Sequence, residues 1–294
     1  MTRPAISRRV IVNLFEQRGV YAVVLGGGFG YFPRPKGQRL PKLLAKVSPS
    51  ATVISTVLGA VAYAGFENPV VTIQQLYADV LEPEVRRSLA TSAIAFQPQV
   101  NGGDLMALEC AIRQLPDDWE HILVVLGDMP CWRPSTLRHM VERHLDSNAR
   151  VTIAALDRTS GEIDAALAQE SLRWGRVCIT GNRVDGISFL DEKNASLFWQ
   201  LTLSSPSAYV MHRSVMENAF RVQPSGEKGE RRMTTLVNYV CAQTVDVRVE
   251  IVPPDEVLGV NTMAELDLVR STLWWRTESD VHGYRPSYEQ VAET

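Results

Sequence analysis

Between Glu16 and Glu67 the chain carries no Asp or Glu, although its formal net charge is −3. Inside that acid-free stretch, Leu25-Gly26-Gly27-Gly28-Phe29-Gly30 is followed by Arg34, Lys36, Arg39 and Lys42. Glycines let a backbone approach a ligand closely, and successive N–H groups form a concavity that holds anions. A glycine turn backed by four cations suits a polyphosphate. Two familiar phosphate loops do not fit. A P-loop needs G-x-x-x-x-G-K-[ST], whereas Lys36 precedes Gly37 here with no hydroxyl partner. The dinucleotide fingerprint G-x-G-x-x-G, counted from Gly26, would need its third glycine at Tyr31, and Pro33, Pro35 and Pro41 forbid an early helix. A flexible surface turn rich in Gly and Pro remains the plain alternative. A second candidate is Asp128, in Leu126-Gly127-Asp128-Met129-Pro130. A carboxylate there suits Mg²⁺, which takes one or two protein oxygens and fills its shell with phosphate oxygens and water. A turn Asp close to a proline reads the same way.

The elements around these residues follow from apolar patterning. Residues 20–25 and 121–126 are continuous apolar runs, the signature of strands buried on both faces. Residues 70–73, 93–96 and 151–156 read as further strands. Helical spacing predicts helices over 51–64, 82–89, 105–115 and 135–145, with Ser50 and Ser135 as N-caps and Pro134 just before the last. Strands alternating with helices give an α/β class with a mainly parallel sheet and right-handed crossovers. Ligands of such sheets bind at the carboxyl ends of the strands, where residues 26–42 and Asp128 both fall.

Composition narrows the partners. With 45% hydrophobic and 21% charged residues, the 294-residue chain has material for one large domain or two smaller ones and none of the signature of disorder. A net charge of −3 offers no global attraction to nucleic acid or membrane. No apolar stretch approaches the roughly 20 residues that span a bilayer, and residues 1–19 lack a secretory h-region. Cys110, Cys131, Cys178 and Cys241 are scattered without a C-x-x-C, as expected of reduced thiols in a cytoplasmic protein. Cys131, His139 and His144 lack zinc-finger spacing. Trp274-Trp275 reads as pinning the last helix to the core or to a second copy, so a homo-oligomer stays open. Residues 227–232 read as a solvated face or turn.

Taken together, the segment from Leu25 to Pro41-Lys42 resembles the L-x-G-G-x-G-x-R-(x)n-P-K opening of sugar-1-phosphate nucleotidyltransferases. Gly127-Asp128-Met129-Pro130 resembles the metal-binding motif of that family, which is Y-G-D-x-P in N-acetylglucosamine-1-phosphate uridylyltransferases; Leu126 here replaces the aromatic. Phe96-Gln97-Pro98-Gln99-Val100-Asn101-Gly102-Gly103 is similar to the Q-x-x-Q-x-G-T-G segment that reads the uracil edge. It is one residue shorter, so Gln97 and Gln99 compete for one role. Trp174-Gly175-Arg176-Val177, the run from Arg183 to Ile187, and Asp191-Glu192-Lys193 resemble the G-R-[IV]…V-x-x-I-x-E-x-K-D stretch. Leu258-Gly259-Val260-Asn261-Thr262 matches the G-V-N turn, and Asn261 is equally an N-cap for a helix over 263–271. The motifs run in order through residues 18–271, and no hexapeptide repeats follow.

The resemblance implies a Rossmann-like nucleotidyltransferase fold, a mainly parallel mixed sheet flanked by helices, over residues 1–271, with 272–294 as a C-terminal tail. It implies magnesium-dependent transfer of a nucleotidyl group from an NTP, UTP favoured, to a sugar-1-phosphate, with release of pyrophosphate. Asp128 and Asn261 would hold Mg²⁺. Lys42, Arg34 and Arg39 would steady the phosphates over the backbone of Leu25, Gly26, Gly27, Gly28 and Gly30. Gln97, Asn101, Gly102 and Gly103 would read the base. Gly175, Glu192 or Asp191, and Ser204 would hold the sugar. No general base is needed, since a phosphate monoester is already ionised near neutral pH. Two departures stand out. Phe32 occupies the place of the motif's arginine, so that contact moves to Arg34, Lys36 or Arg39, or is missing. The sugar-binding E-x-N-x-G turn is represented only by Leu203-Ser204-Ser205-Pro206. Transfer to a molybdopterin or polyol phosphate, or a nucleotide-binding regulatory protein without turnover, would produce the same losses.

Overall fold

The computed structural model describes residues 15–28, 30–33, 39–98, 102–160, 167, 171, 173–190, 195–222, 229–243 and 245–282. At its centre lies β1 (Val20–Gly26), buried at every position. It is flanked in parallel by β4 (Val70–Gln74) and β6 (His121–Leu126), with Val23 opposite both Val70 and Val124. Parallel β5 (Ala93–Gln97) extends the sheet beyond β4. Past β6 come antiparallel β11 (Tyr209–His212), then β7 (Val151–Asp157), β10 (Leu203–Ser205), β8 (Gly175–Thr180) and β9 (Arg183–Ser188). The strand β12 (Val247–Ile251) pairs in parallel with β7. The result is the mixed, mostly parallel α/β sheet that the alternation of strands and helices predicts.

Strand pleating explains the continuous apolar run of β1. Val20, Ala22 and Val24 face one core with α1 (Val53–Ala64) and α4 (Pro134–Ser147), meeting residues such as Val57 and Leu137. Tyr21, Val23 and Leu25 face the other, under α3 (Gly103–Ile112) and α7 (Met233–Cys241), with Leu105, Leu108 and Leu236. Between these helices in the chain lie α2 (Ala78–Ser88), α5 (Ala195–Gln200) and α6 (Arg213–Met216). The α2 helix begins before the predicted residue 82: Asp79 in its first turn and Arg86 and Arg87 in its last complement the helix dipole, and Pro83 is accommodated within it.

Two helix starts differ from expectation. Thr52, not Ser50, caps α1, because Thr52 and Ser55 exchange side-chain bonds to each other's N–H at 3.2 and 2.7 Å. Pro134 is itself the first residue of α4, and the N–H of Arg133 is held by the Glu256 carboxylate at 2.9 Å rather than by a hydroxyl of its own turn. The last helix, α8 (Met263–His282), runs past residue 271, so the first part of the expected tail continues the helix. Trp274 and Trp275 lie on it, both exposed, with their rings edge to face. Residues expected to be plain loop form a hairpin of β2 (Tyr31–Pro33) and β3 (Arg39–Pro41). Among the described residues, no helix is long and apolar enough to cross a membrane.

Candidate functional site

Three turns meet at the carboxyl edge of the sheet, and main-chain bonds lock them together. Gly127, after β6, donates its N–H to the carbonyl of Leu25 at the end of β1, at 2.9 Å. Val260, before α8, donates to the carbonyl of Asp128 at 2.9 Å. Lys42, just after β3, donates its backbone N–H to Gly30 at 3.0 Å. Short turns after parallel strands put backbone and side chains on one edge, which is why residues far apart in the chain converge there.

The Lys42 ammonium lies between the carboxylate of Asp128, with which it forms an ion pair, and the amide oxygen of Asn261, to which it donates at 2.9 Å. The Lys42 and Asp128 side chains are 15% and 19% exposed, so this charge pair is only weakly screened by solvent. Asn261 is oriented from behind. Glu265 accepts from the N–H groups of Asn261 at 2.6 Å and Thr262 at 2.9 Å, while Thr262 Oγ1 accepts from the N–H of Glu265 at 3.2 Å. This reciprocal cap opens α8, so Asn261 stands just ahead of the cap. Farther back, fully buried Glu256 accepts from Arg133 Nη1 at 2.8 Å and Thr136 at 2.9 Å, and Asp255 pairs with Arg133 and Arg276. That network ties the start of α4 to the segment that leads into Asn261.

Gly26, Gly27, Gly28, Lys42, Asp128 and Asn261 line one cleft of about 620 Å³, together with Leu25, Gln97 and Gly103. Two glycines admit close neighbours. A Cβ on Gly30 would stand 2.5 Å from Lys42 Cδ, and one on Gly27 would stand 1.9 Å from Gln97 Oε1. Gln97 is buried. Its Nε2 donates to the Gly103 carbonyl at 3.3 Å, which fixes the amide orientation, and its Oε1 is left with no donor. Gly102 is buried at the N-cap of α3. Burial raises the Asp104 carboxyl to about 6, against the pull of the backbone N–H of Met233, which it accepts at 2.8 Å.

Other expected residues sit elsewhere. The guanidinium of Arg39 lies 4.5 Å from the centre of the Tyr31 ring, on the hairpin and outside the cleft lining. Phe32, on the neighbouring position of β2, is buried in the core beside Leu43. Gly175 begins β8 against Ile187, and Ser204 is fully buried with its hydroxyl accepting from Arg176 Nη1 at 2.6 Å. Neither lines the cleft. Arg34, Lys36, Gln99, Asn101, Asp191 and Glu192 lie outside the described residues. Sequence reasoning missed Asp104, Glu230 and Arg232, all on the cleft wall. The only local signal was an acid in a first helical turn and a charged run entering a helix, both of which are ordinary surface features. His144 bonds to His121 and Thr152 at 3.0 and 2.9 Å, and no group of three His, Cys, Asp or Glu side chains placed to hold one metal ion occurs among the described residues.

Comparison with known proteins gives the same picture. The bifunctional protein GlmU of Desulfotalea psychrophila is 25% identical over 254 residues, covering 84% of this chain and 70% of that protein. The GlmU of Clostridium botulinum is 22% identical, and the match spans half of its length. A probable UDP-N-acetylglucosamine pyrophosphorylase of Acanthamoeba polyphaga mimivirus is 22% identical over 86% of this chain and 95% of its own. The solved inositol-1-phosphate CTP transferase of T. maritima superposes with a TM-score of 0.63 at 16% identity, covering 86% of this chain and 95% of that one, a likeness of fold. The profile of the MobA-like NTP transferase domain matches residues 22–238, and the chain is therefore a nucleotidyltransferase enzyme of that family.

Proposed function

We propose that the chain transfers a nucleotidyl group from an NTP to a phosphate-bearing acceptor and releases pyrophosphate, with UTP, a sugar-1-phosphate and Mg²⁺ as the favoured set. The observation that carries this reading is the convergence of Lys42, Asp128 and Asn261 beside the backbone of residues 26–28. One carboxylate and one amide oxygen are hard donors of the kind Mg²⁺ takes, and an ammonium already fits between them. Asp128 and Asn261 would hold the ion, which when bound supplies Lewis-acid neutralisation of phosphate charge.

The remaining work belongs to the chain. Both reactants are anionic, so catalysis rests on positioning and charge compensation rather than on a covalent nucleophile. The backbone of residues 26–28 cradles phosphate oxygens, and Lys42 steadies them. Gln97, on the cleft wall, would read the base through its side-chain amide. A polyol phosphate is the second acceptor reading. It is favoured by the absence of a free polar side chain at Ser204 and by the match along 95% of a protein named as an inositol-1-phosphate CTP transferase.

The test is pyrophosphate release over a grid of UTP, CTP, GTP, ATP and dTTP against sugar-1-phosphates and polyol phosphates, with Mg²⁺. Release above background for one pair is expected. No release from any pair, with no nucleotide raising the thermal midpoint at millimolar concentration, would sink the reading.

A further inference from the structure

We infer that Arg232 is a phosphate-binding residue of the cleft; this rests on the transferase reading above. A nucleoside triphosphate and an acceptor phosphate bring several negative charges into a site whose own wall already holds Asp104, Asp128 and Glu230. Charge compensation therefore needs more than Lys42, whose ammonium is shared between Asp128 and Asn261. The loop offers little help among the described residues: Phe32 is buried in the core, and Arg39 lies against Tyr31 on the hairpin. The described cations that line the cleft are Lys42 and Arg232.

The local structure explains why Arg232 points into the cleft while its neighbour does not. Arg231 is a brace. Its backbone is bonded to α3 on both sides, N–H to Gly102 at 3.3 Å and carbonyl from Leu105 at 3.0 Å. Its guanidinium is consumed by Glu109 at 2.6 Å and by the carbonyls of Ala219 and Val222. Arg232 follows in extended conformation at the N-cap of α7, where its donor-only side chain cannot cap, and Asp104 accepts the Met233 N–H. Among the described residues the hydrogen-bonding partner of Arg232 is Glu230 at 3.1 Å, Asp104 lies within electrostatic reach, and the Arg232 side chain remains 42% exposed. A guanidinium has five donors in a planar fork, so most of that fork stays available to phosphate oxygens. The oxygens can belong to the NTP or to the acceptor phosphate, and kinetics separate the two.

The experiment measures pyrophosphate release by wild type, Arg232→Met and Arg232→Lys, varying each reactant in turn at several ionic strengths. Arg86→Met, which removes a cation of α2 paired with Glu82, serves as the charge-matched control. The expected result is a loss of about 10- to 100-fold in kcat/KM for Arg232→Met, the size of one charge-assisted contact. The salt dependence should become shallower in that variant, and Arg232→Lys should regain much of the loss. The thermal midpoint should stay close to that of wild type, because the pair given up is an exposed one. A rise confined to the KM of the NTP assigns the triphosphate, and one confined to the acceptor assigns its phosphate; either supports the inference. Wild-type kcat/KM and an unchanged salt slope in Arg232→Met would overturn it. So would a loss that Arg232→Lys does not relieve and that tracks a lowered midpoint, since that marks a brace. Inactive wild type refutes the transferase reading instead, and so the two failures are distinguishable.

Discussion

Lys42→Met removes one ammonium and keeps an unbranched stem of similar length across Gly30. That ammonium sits between Asp128 and Asn261, the two oxygen donors that the proposal gives to a divalent ion. The substitution should therefore act in opposite directions on two measurements. Divalent-ion affinity in the absence of nucleotide should rise, and turnover should fall. At about 4 Å and an effective dielectric of about 20, two unit charges interact by about 4 kcal/mol. That is a gross figure. The Lys42 and Asp128 side chains are 15% and 19% exposed, and re-solvation of the displaced ammonium returns much of the loss. A net competition of about 1–2 kcal/mol remains, which corresponds to about 5- to 30-fold tighter ion binding in Lys42→Met.

Mn²⁺ is the practical probe, since its free concentration can be read directly by paramagnetic resonance, with calorimetry as a second measurement. Asp128→Asn provides the reference for a site that has lost its carboxylate. In parallel, pyrophosphate release by Lys42→Met should drop by about 10²–10³, the usual consequence of losing a preorganised charge at a phosphate. If Mn²⁺ binds Lys42→Met no more tightly than wild type while Asp128→Asn still weakens it, the ammonium does not compete with the ion. The argument from their shared oxygens is then wrong.

Phe32→Arg should destabilise the protein by about 3 kcal/mol or more rather than restore a catalytic cation, because the ring is 7% exposed in the core and an unpaired charge there is costly; a urea midpoint equal to wild type, or a gain in turnover, would contradict this. Arg133→Met strands the fully buried Glu256 carboxylate and should cost about 3–5 kcal/mol in chemical denaturation, with weaker ion binding as Asn261 loses its support. The cluster of His121, His144 and His212, beside Arg150 and Glu120, sets an acid limit: burial lowers His144 to about 3 and His121 to about 4. Their folded values lie below the unfolded value near 6.5, so the unfolded chain takes up protons first and stability falls as pH drops from about 6.5 towards 3. By pH 4 fully buried His144 alone should cost about 3 kcal/mol, with partly buried His121 adding to it, and a urea midpoint that stays flat between pH 6.5 and 4 would refute it.

What could be read from the sequence was whatever a short window records. Residues 20–25 and 121–126 announce buried strands because both faces of a central parallel strand need apolar side chains. Gly26, Asp128 and Asn261 were legible because each sits in a turn of unusual composition at the end or start of a strong element. The burial of Phe32 is not legible in the sequence, because a Gly- and Pro-rich segment reads as an irregular loop. Once β2 and β3 pair, pleating alternates Tyr31 outward and Phe32 inward, and Arg39 is drawn to the exposed Tyr31 ring. Arg232 was hidden for a different reason. Its direction is set by the bonds that hold Arg231 to Gly102 and Leu105, across more than a hundred residues of sequence. No local window contains that contact. The same holds for the cap of α4, whose acceptor Glu256 comes from the far side of the chain.

These long-range bonds also bear on how the site rests between turnovers. Main-chain bonds join the turns after β1, after β6 and before α8, so Asp128 and Asn261 are held together whether or not an ion is present. A carboxylate fixed in a partly buried cleft needs a counter-charge, and Lys42 supplies it from within the chain. The pair neutralises the carboxylate locally, and Lys42 holds the Asp128 and Asn261 oxygens side by side. Under the proposed transfer, Asp128 would hold a divalent ion and Lys42 would turn to phosphate oxygens, so that each charge keeps a partner. If the proposed transfer holds, Lys42 and Asp128 are coupled by this geometry, and a change at Lys42 should alter the ion affinity at Asp128 even where the fold is untouched.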